Sequence, residues 1–284
     1  MRVIGLDWAV SPCDRAAIVM ERATNGQIRV TSCVSPVEDS TAIEFCTSAD
    51  HNVVAVDIPF SWPLEFTQFV SKWKVSSDDS PTPPSSVNFR YRSTDRFVHS
   101  KTNKWPLSVS TNLFALGARQ WALIVHENEL HRKIDVVGNF SADVDAPRII
   151  EVYPGATLRA FENTHLLNIS GSAKRIVEAG ESVSEKTFSY KSDEVVRRSL
   201  VNAIVRGFNI DIEDSLVDTV VSVGRKDHAT DALLAALTAI IYGGGVVGWN
   251  VWNPGDDQIE RAKEEGWIFF PRREEPSGES PIFD

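Results

Sequence analysis

Two aspartates four residues apart lead a strongly apolar stretch, KDHATDALLAALTAII, at residues 226–241. On a helix that spacing puts Asp227 and Asp231 on one face near the N-terminus, where the backbone dipole favours negative charge. Ala229, Leu233, Ala236 and Leu237 recur at helical period. Ala232, Ala235 and Ala239 widen the apolar side with residues small enough for close packing on a sheet. The glycine run at 243–245 ends the helix. Such a helix presents its two carboxylates at one edge of a core. An N-cap at Asp227 and a solvated first-turn acid at Asp231 would account for the same spacing.

Three more carboxylates fall at or near the ends of candidate strands: Asp7, Asp57 and Glu151. Period two places Val3, Gly5 and Asp7 on one face, and Ile149, Glu151 and Tyr153 on one face of their own strand. A charge on an apolar strand is costly unless paired or metal-bound. Taken singly, each acid is explained by a cap or by a salt bridge to Arg15 or Arg148. Converging at one sheet edge, they would repel one another until a cation joined them. Oxygen-only ligands select Mg²⁺ or Mn²⁺ over zinc. Two such ions about 3.5–4 Å apart can hold a scissile phosphodiester. In that scheme Asp7 bridges the ions, Asp57 and Glu151 bind on one side, and Asp227 or Asp231 binds on the other.

Smaller signals surround these acids. Arg92 is positioned to clamp a phosphate bidentately or to pair with Asp95 in an internal brace. His228 can assist proton transfer to a leaving oxygen or lie solvated in the first turn, and Lys226 has the same two readings. Trp62, Trp73, Tyr91 and Trp105 are candidates for base stacking or for packing.

The elements that would carry these residues follow from periodicity and turn chemistry. Strands are expected at 2–9, 15–22 and 27–34, with a hairpin turn at Thr24-Asn25-Gly26. A short helix at 40–48 precedes the apolar run VVAVDIPF at 53–60, which reads as a strand buried on both faces and stopped by Pro59. A helix over 113–132, a strand over 148–154, and helices over 172–180 and 191–208 lead to the focal helix. GWIFFP at 266–271 is a last short strand or a packing tail. The fold class expected is α/β: a three-strand antiparallel meander extended by parallel strands, with helices on both faces, forming one domain over 1–284. It carries a long insertion at about 61–145 and an acidic tail at about 272–284.

Composition bounds the rest. The 284 residues are 42% hydrophobic and 24% charged, the profile of a globular chain without a transmembrane stretch or a secretory signal. Cys13, Cys33 and Cys46 match no zinc spacing and fit reduced, packed thiols in a cytoplasmic protein. A net charge of −10 excludes a coat of basic charge for nucleic acid. Residues 72–119 nevertheless hold eight basic side chains against three acids, while the stretch from Gly255 onward holds nine acids against four basic residues. The middle segment can therefore meet a phosphate or serve as a solvated basic loop.

GLDWA, AVDIPF, FRYRSTD, EVYPGAT, DHATDALLAALTA and EEGWIFFP, in that order from Gly5 to Pro271, resemble the family called domain of unknown function 429, described as predicted ribonuclease H-like nucleases. The first and the helix motif also resemble Holliday-junction resolvases, whose helix carries a DxxD-type pair. Here the spacing is one residue longer, which leaves the choice between Asp227 and Asp231 open. The resemblance implies a ribonuclease H-like fold, an acidic site of Asp7, Asp57, Glu151, Asp227 and Asp231, and a place for Arg92 and Asp95 in an arginine–aspartate motif. The function expected is a Mg²⁺- or Mn²⁺-dependent nuclease or phosphodiesterase using two metal ions, with nucleic acid or a nucleotide as substrate. A non-catalytic scaffold of the same fold is one alternative. An actin-like or sugar-kinase ATP enzyme is another, although GLDWAVSPCD lacks the phosphate-binding Gly-Thr pair that reading requires.

Overall fold

A computed structural model describes residues 1–75, 80–112, 114–138, 147–164, 172–179, 182–222 and 227–274. In chain order the elements are β1 (Arg2–Asp7), β2 (Ala16–Arg22), β3 (Ile28–Val34), α1 (Asp39–Thr47), β4 (Val53–Asp57), α2 (Leu64–Lys72), α3 (Ser86–Arg90) and α4 (Ser93–Thr102). Then come α5 (Phe114–Glu127), β5 (Arg148–Val152), α6 (Pro154–Asn163), β6 (Ser172–Ala179), β7 (Ser182–Ser189), α7 (Glu194–Gly207), β8 (Ile210–Asp211) and α8 (Asp214–Ser222). The chain closes with α9 (His228–Tyr242), β9 (Trp249–Val251), α10 (Ile259–Glu265), β10 (Ile268–Phe269) and β11 (Pro271–Arg273).

Seven strands form one sheet in the order β10-β5-β4-β1-β2-β3-β8. Only β2 runs against its neighbours; β1 pairs in parallel with β4, β4 with β5, and β5 with β10. The β2–β3 hairpin turns through Gly26, whose φ of 88° suits a residue without a Cβ. Strand alternation divides the core in two. Val3, Val53, Ala55, Ile150 and Val152 face α9 together with residues of α6, α7 and α8. Ile4, Leu6, Val54, Val56 and Ile149 face α1 and α5 through Ala42, Cys46, Ala118, Trp121 and Ile124. Helices thus cover both faces of a mixed sheet, the expected ribonuclease H-like α/β class.

α9 lies against the middle of the sheet and is buried along nearly its whole length, Ala229 through Tyr242. Its small residues let it approach β1 at Gly5, where an added Cβ would fall onto the Ala232 carbonyl and the Ala236 backbone. This close approach brings the helix N-terminus to the carboxyl ends of β1 and β4.

Several expectations change. Residues 172–179, expected as helix, form β6, paired antiparallel with β7 in a separate two-stranded sheet. Only Gly180 and Glu181 separate the paired Ala179 and Ser182, and that Gly-containing two-residue spacing is a hairpin signature outweighing the weak helical pattern before it. α6, directly after β5, was not anticipated: Pro154 reads as a strand stop, but it also suits the first turn of a helix. The insertion between β4 and β5 carries α2, α3 and α4 in addition to the expected helix α5. GWIFFP supplies both β10 in the main sheet and the start of β11, which pairs with β9. Of the cysteines, only Cys46 is buried; Cys13 is exposed.

Candidate metal centre

In the parallel β1–β4 ladder, Asp7 and Asp57 are register partners. Period two places both on the α9 side, continuing Val3-Gly5 and Val53-Ala55. Asp231, in the first turn of α9, meets them from above. One carboxylate oxygen from each of Asp7, Asp57 and Asp231 lies within 4.8 Å of the others. The trio lines the floor of a cleft of about 260 Å³ that also meets Trp8, Phe114, Lys191, Asp227 and His228.

The neighbours fix these acids differently. Asp7 Oδ2 lies 2.6 Å from His228 Nδ1. Asp231 Oδ1 accepts from Tyr190 Oη at 2.8 Å, and its Oδ2 accepts from Lys191 Nζ at 2.9 Å. The same ammonium lies 2.8 Å from Asp227 Oδ2. Among the described residues no hydrogen bond reaches the Asp57 carboxylate. The loop after β1 is held by Arg15, fully buried, which donates to the carbonyls of Ala9 and Val10 and to Asp39 Oδ1 at 2.6 Å.

The electrostatics follow from burial. Desolvation, then the charges of Asp7 and Asp231, push Asp57 well above the usual carboxylate range. Desolvation likewise lifts Asp231 to about 7, against the pull of Lys191. Asp7 is raised by burial, an effect that its hydrogen bond to His228 only partly offsets. Burial opposes ionisation at Asp227 too, but there Lys191 wins and the group falls below its ordinary value. His228 is raised, chiefly by its hydrogen bond to Asp7. These three crowded carboxylates resist ionisation, one of them has no hydrogen-bond donor among the described residues, and together they could hold a hard divalent cation.

Glu151 lies on the other side of β5 from this trio. Its strand neighbour Ile149 packs in the α5-side core, whereas Ile150 and Val152 face α9. Arg92 donates to Glu151 Oε1 at 2.6 Å and Oε2 at 2.9 Å, to Asp95 Oδ1 at 2.9 Å and to the Glu265 carbonyl at 3.1 Å. The Phe60 amide adds a further donor to Glu151 at 3.0 Å. Arg92, Asp95 and Glu151 are each at most 2% exposed. Their ion pairs therefore form the internal brace, and the Arg92 fork is occupied by protein groups. Glu151 pairs with Arg92, not with Arg148. Around the brace, Glu265 accepts from Ser93 and Leu64, and Thr94 accepts from the Ile268 amide at 2.8 Å. Three of the sequence motifs, YRSTD, EVYPG and EEGWIFF, thus meet in one clamp.

His228 lines the cleft, and Lys226 lies outside the described residues. Tyr91 stacks on Trp105 at 4.2 Å and His99 stacks on Trp105 at 4.0 Å, so these rings are engaged with each other. Lys191 and Tyr190 escaped notice in the sequence. Neither belongs to a motif, and the one local signal is that they just precede Asp193, the N-cap of α7.

A sheet with β2 alone reversed, covered on both faces and bearing a carboxylate cluster at the ends of β1 and β4, defines a ribonuclease H-like α/β protein. The family model described as a protein of unknown function, DUF429, matches residues 5–255, and the chain belongs to that family. No curated protein and no solved structure gives a significant match.

Proposed function

We propose that the protein is a divalent-metal-dependent phosphodiesterase acting on nucleic acid or nucleotides. The observation that carries this reading is the meeting of Asp7, Asp57 and Asp231 from β1, β4 and α9 within 4.8 Å of one another. Their donor set is all oxygen, which fits Mg²⁺ or Mn²⁺, and the Asp57 carboxylate accepts no hydrogen bond from the described residues. When bound, such a metal would supply Lewis-acid polarisation of a phosphodiester and a nucleophile at neutral pH. The chain's residues do the rest. Asp7 and Asp231 are pre-oriented by His228 and Tyr190, so the cage needs little rearrangement. His228 holds a proton beside the cluster, within the cleft, where a leaving oxygen would need one. A second cleft of about 420 Å³ opens from Asp57 and Asp231 past Lys104, Leu107, Phe114 and Tyr153. Its apolar walls and flanking lysines suit one nucleotide unit beside the metal. The net charge of −10 also favours a substrate held locally over a long duplex held by charge.

The test is turnover of bis-p-nitrophenyl phosphate and of single-stranded, duplex and branched oligonucleotides, with and without Mn²⁺. Mn²⁺-dependent cleavage that is lost in Asp57→Asn is the expected result. ATP hydrolysis with no strand scission would overturn the reading in favour of an ATP enzyme.

A further inference from the structure

Lys191 reaches the two acids that the two-ion scheme offers to its second metal. Its Nζ bridges Asp227 Oδ2 at 2.8 Å and Asp231 Oδ2 at 2.9 Å, the two acids one turn apart on the leading end of α9. Asp231 also belongs to the trio with Asp7 and Asp57, so it is shared between the ammonium and the three-carboxylate cluster. We infer that Lys191 permanently supplies the second cation, and that the site takes one divalent ion rather than two. This rests on the metal-dependent reading above and narrows it.

The lysine is held as a fixed part of the site. Tyr190, next to it, is buried and donates to Asp231 Oδ1 at 2.8 Å. Arg197 Nε in α7 fixes the Tyr190 carbonyl at 2.9 Å, and Asp193 Oδ1 accepts from the Val196 amide at 3.0 Å to start that helix. The backbone on both sides of Lys191 is thus anchored to α7 and α9 before any ligand arrives. A metal ion bound between Asp227 and Asp231 at about 2.0–2.1 Å from each ligand oxygen would occupy the volume of the ammonium itself. Lysine is a compact point charge with three donors, and two of its hydrogens already face these carboxylates. The third is left for a phosphate oxygen. In such a site Lys191 stabilises negative charge on the phosphate without a second metal, and Asp227 acts as a positioning residue for the ammonium, not as a metal ligand.

The count of bound metal decides the matter without reference to turnover. Wild-type protein saturated with Mn²⁺ is expected to bind close to one ion per chain by calorimetry and elemental analysis, with the six-line electron paramagnetic resonance signal of isolated Mn²⁺. Lys191→Met is expected to bind close to two, with a spin-coupled signal. Lys191→Arg, which keeps the charge, is expected to remain at one. Two coupled ions in the wild type would overturn the inference, and so would a count of one in both wild type and Lys191→Met. No binding to wild type would instead overturn the metal reading on which it rests, whatever Lys191→Met did. The Lys191 side chain is 54% exposed, and thermal melting reports whether Lys191→Met folds. If it does not, the wild-type count and spectrum still separate one ion from two.

Discussion

Gly5 of β1 and Ala232 of α9 are in direct backbone apposition: a Cβ at Gly5 would fall onto the Ala232 carbonyl. The register of the whole site depends on this approach, because Asp7 lies two residues beyond Gly5 and Asp231 immediately before Ala232. Gly5→Ala must push the helix off the sheet. Overpacking of this kind costs about 3 kcal/mol, and here it also separates two carboxylates of the trio. Urea denaturation is expected to show the loss of stability, and Mn²⁺ titration a weaker site in the protein that remains folded. Unchanged affinity and unchanged stability together would show that α9 does not set the spacing.

Breaking the Arg92 brace is expected to unsettle the fold while sparing the proposed metal site. Glu151→Gln replaces two charge-assisted hydrogen bonds to the buried guanidinium, which keeps Asp95 as its ion-pair partner, a loss of about 1.5–3 kcal/mol. Mn²⁺ stoichiometry, measured well below the melting temperature, is expected to match wild type. A lost ion would place Glu151 among the ligands after all.

The metal-free protein is expected to become less stable as pH rises from about 4 to about 7. Asp231 ionises near 3.8 when unfolded and near 7 when folded. A group raised on folding contributes stability below its unfolded value and loses it as pH climbs through the folded one. Asp57 acts in the same direction, whereas the lowered Asp227 acts only in more acid solution. Melting scans at pH 5 and pH 8 check this: Asp231→Asn is expected to flatten the dependence, by on the order of 2 kcal/mol. Added Mn²⁺ should stabilise wild type more at pH 8, where fewer protons compete for the ligands.

His228 is expected to titrate above its ordinary range in wild type and to fall back toward it in Asp7→Asn. The hydrogen bond and charge of Asp7 are the main causes of its elevation. Nuclear magnetic resonance of the imidazole C–H signals reads both values, and an identical titration in the two proteins would count against the contact.

The sequence was legible where the chemistry is local. Asp7 and Asp57 end apolar strands, and Asp227 and Asp231 share a helical face, so their convergence followed from periods of two and 3.6. The same arithmetic misled for Glu151: alternation assigns a face relative to its own strand, and only the finished sheet shows that β5 turns that face away from α9. Arg92 and Glu151 are 59 residues apart, and their pairing leaves no short-range trace. Lys191 was invisible for the same reason, since a single lysine in a loop looks like any solvated one. The helix expected over 172–180 gives way to strand at 172–179 because that segment pairs with β7 and its polar residues fit either period.

The acids of the site belong to the central sheet and its covering helix, and shifting any of them disturbs the core. Lys191 belongs to neither. It follows the last residues of the β6–β7 hairpin, which is not part of the main sheet. Under the one-ion proposal, replacing that one appendage changes the number of ions expected at the centre while the sheet and α9 that carry its acids keep their places.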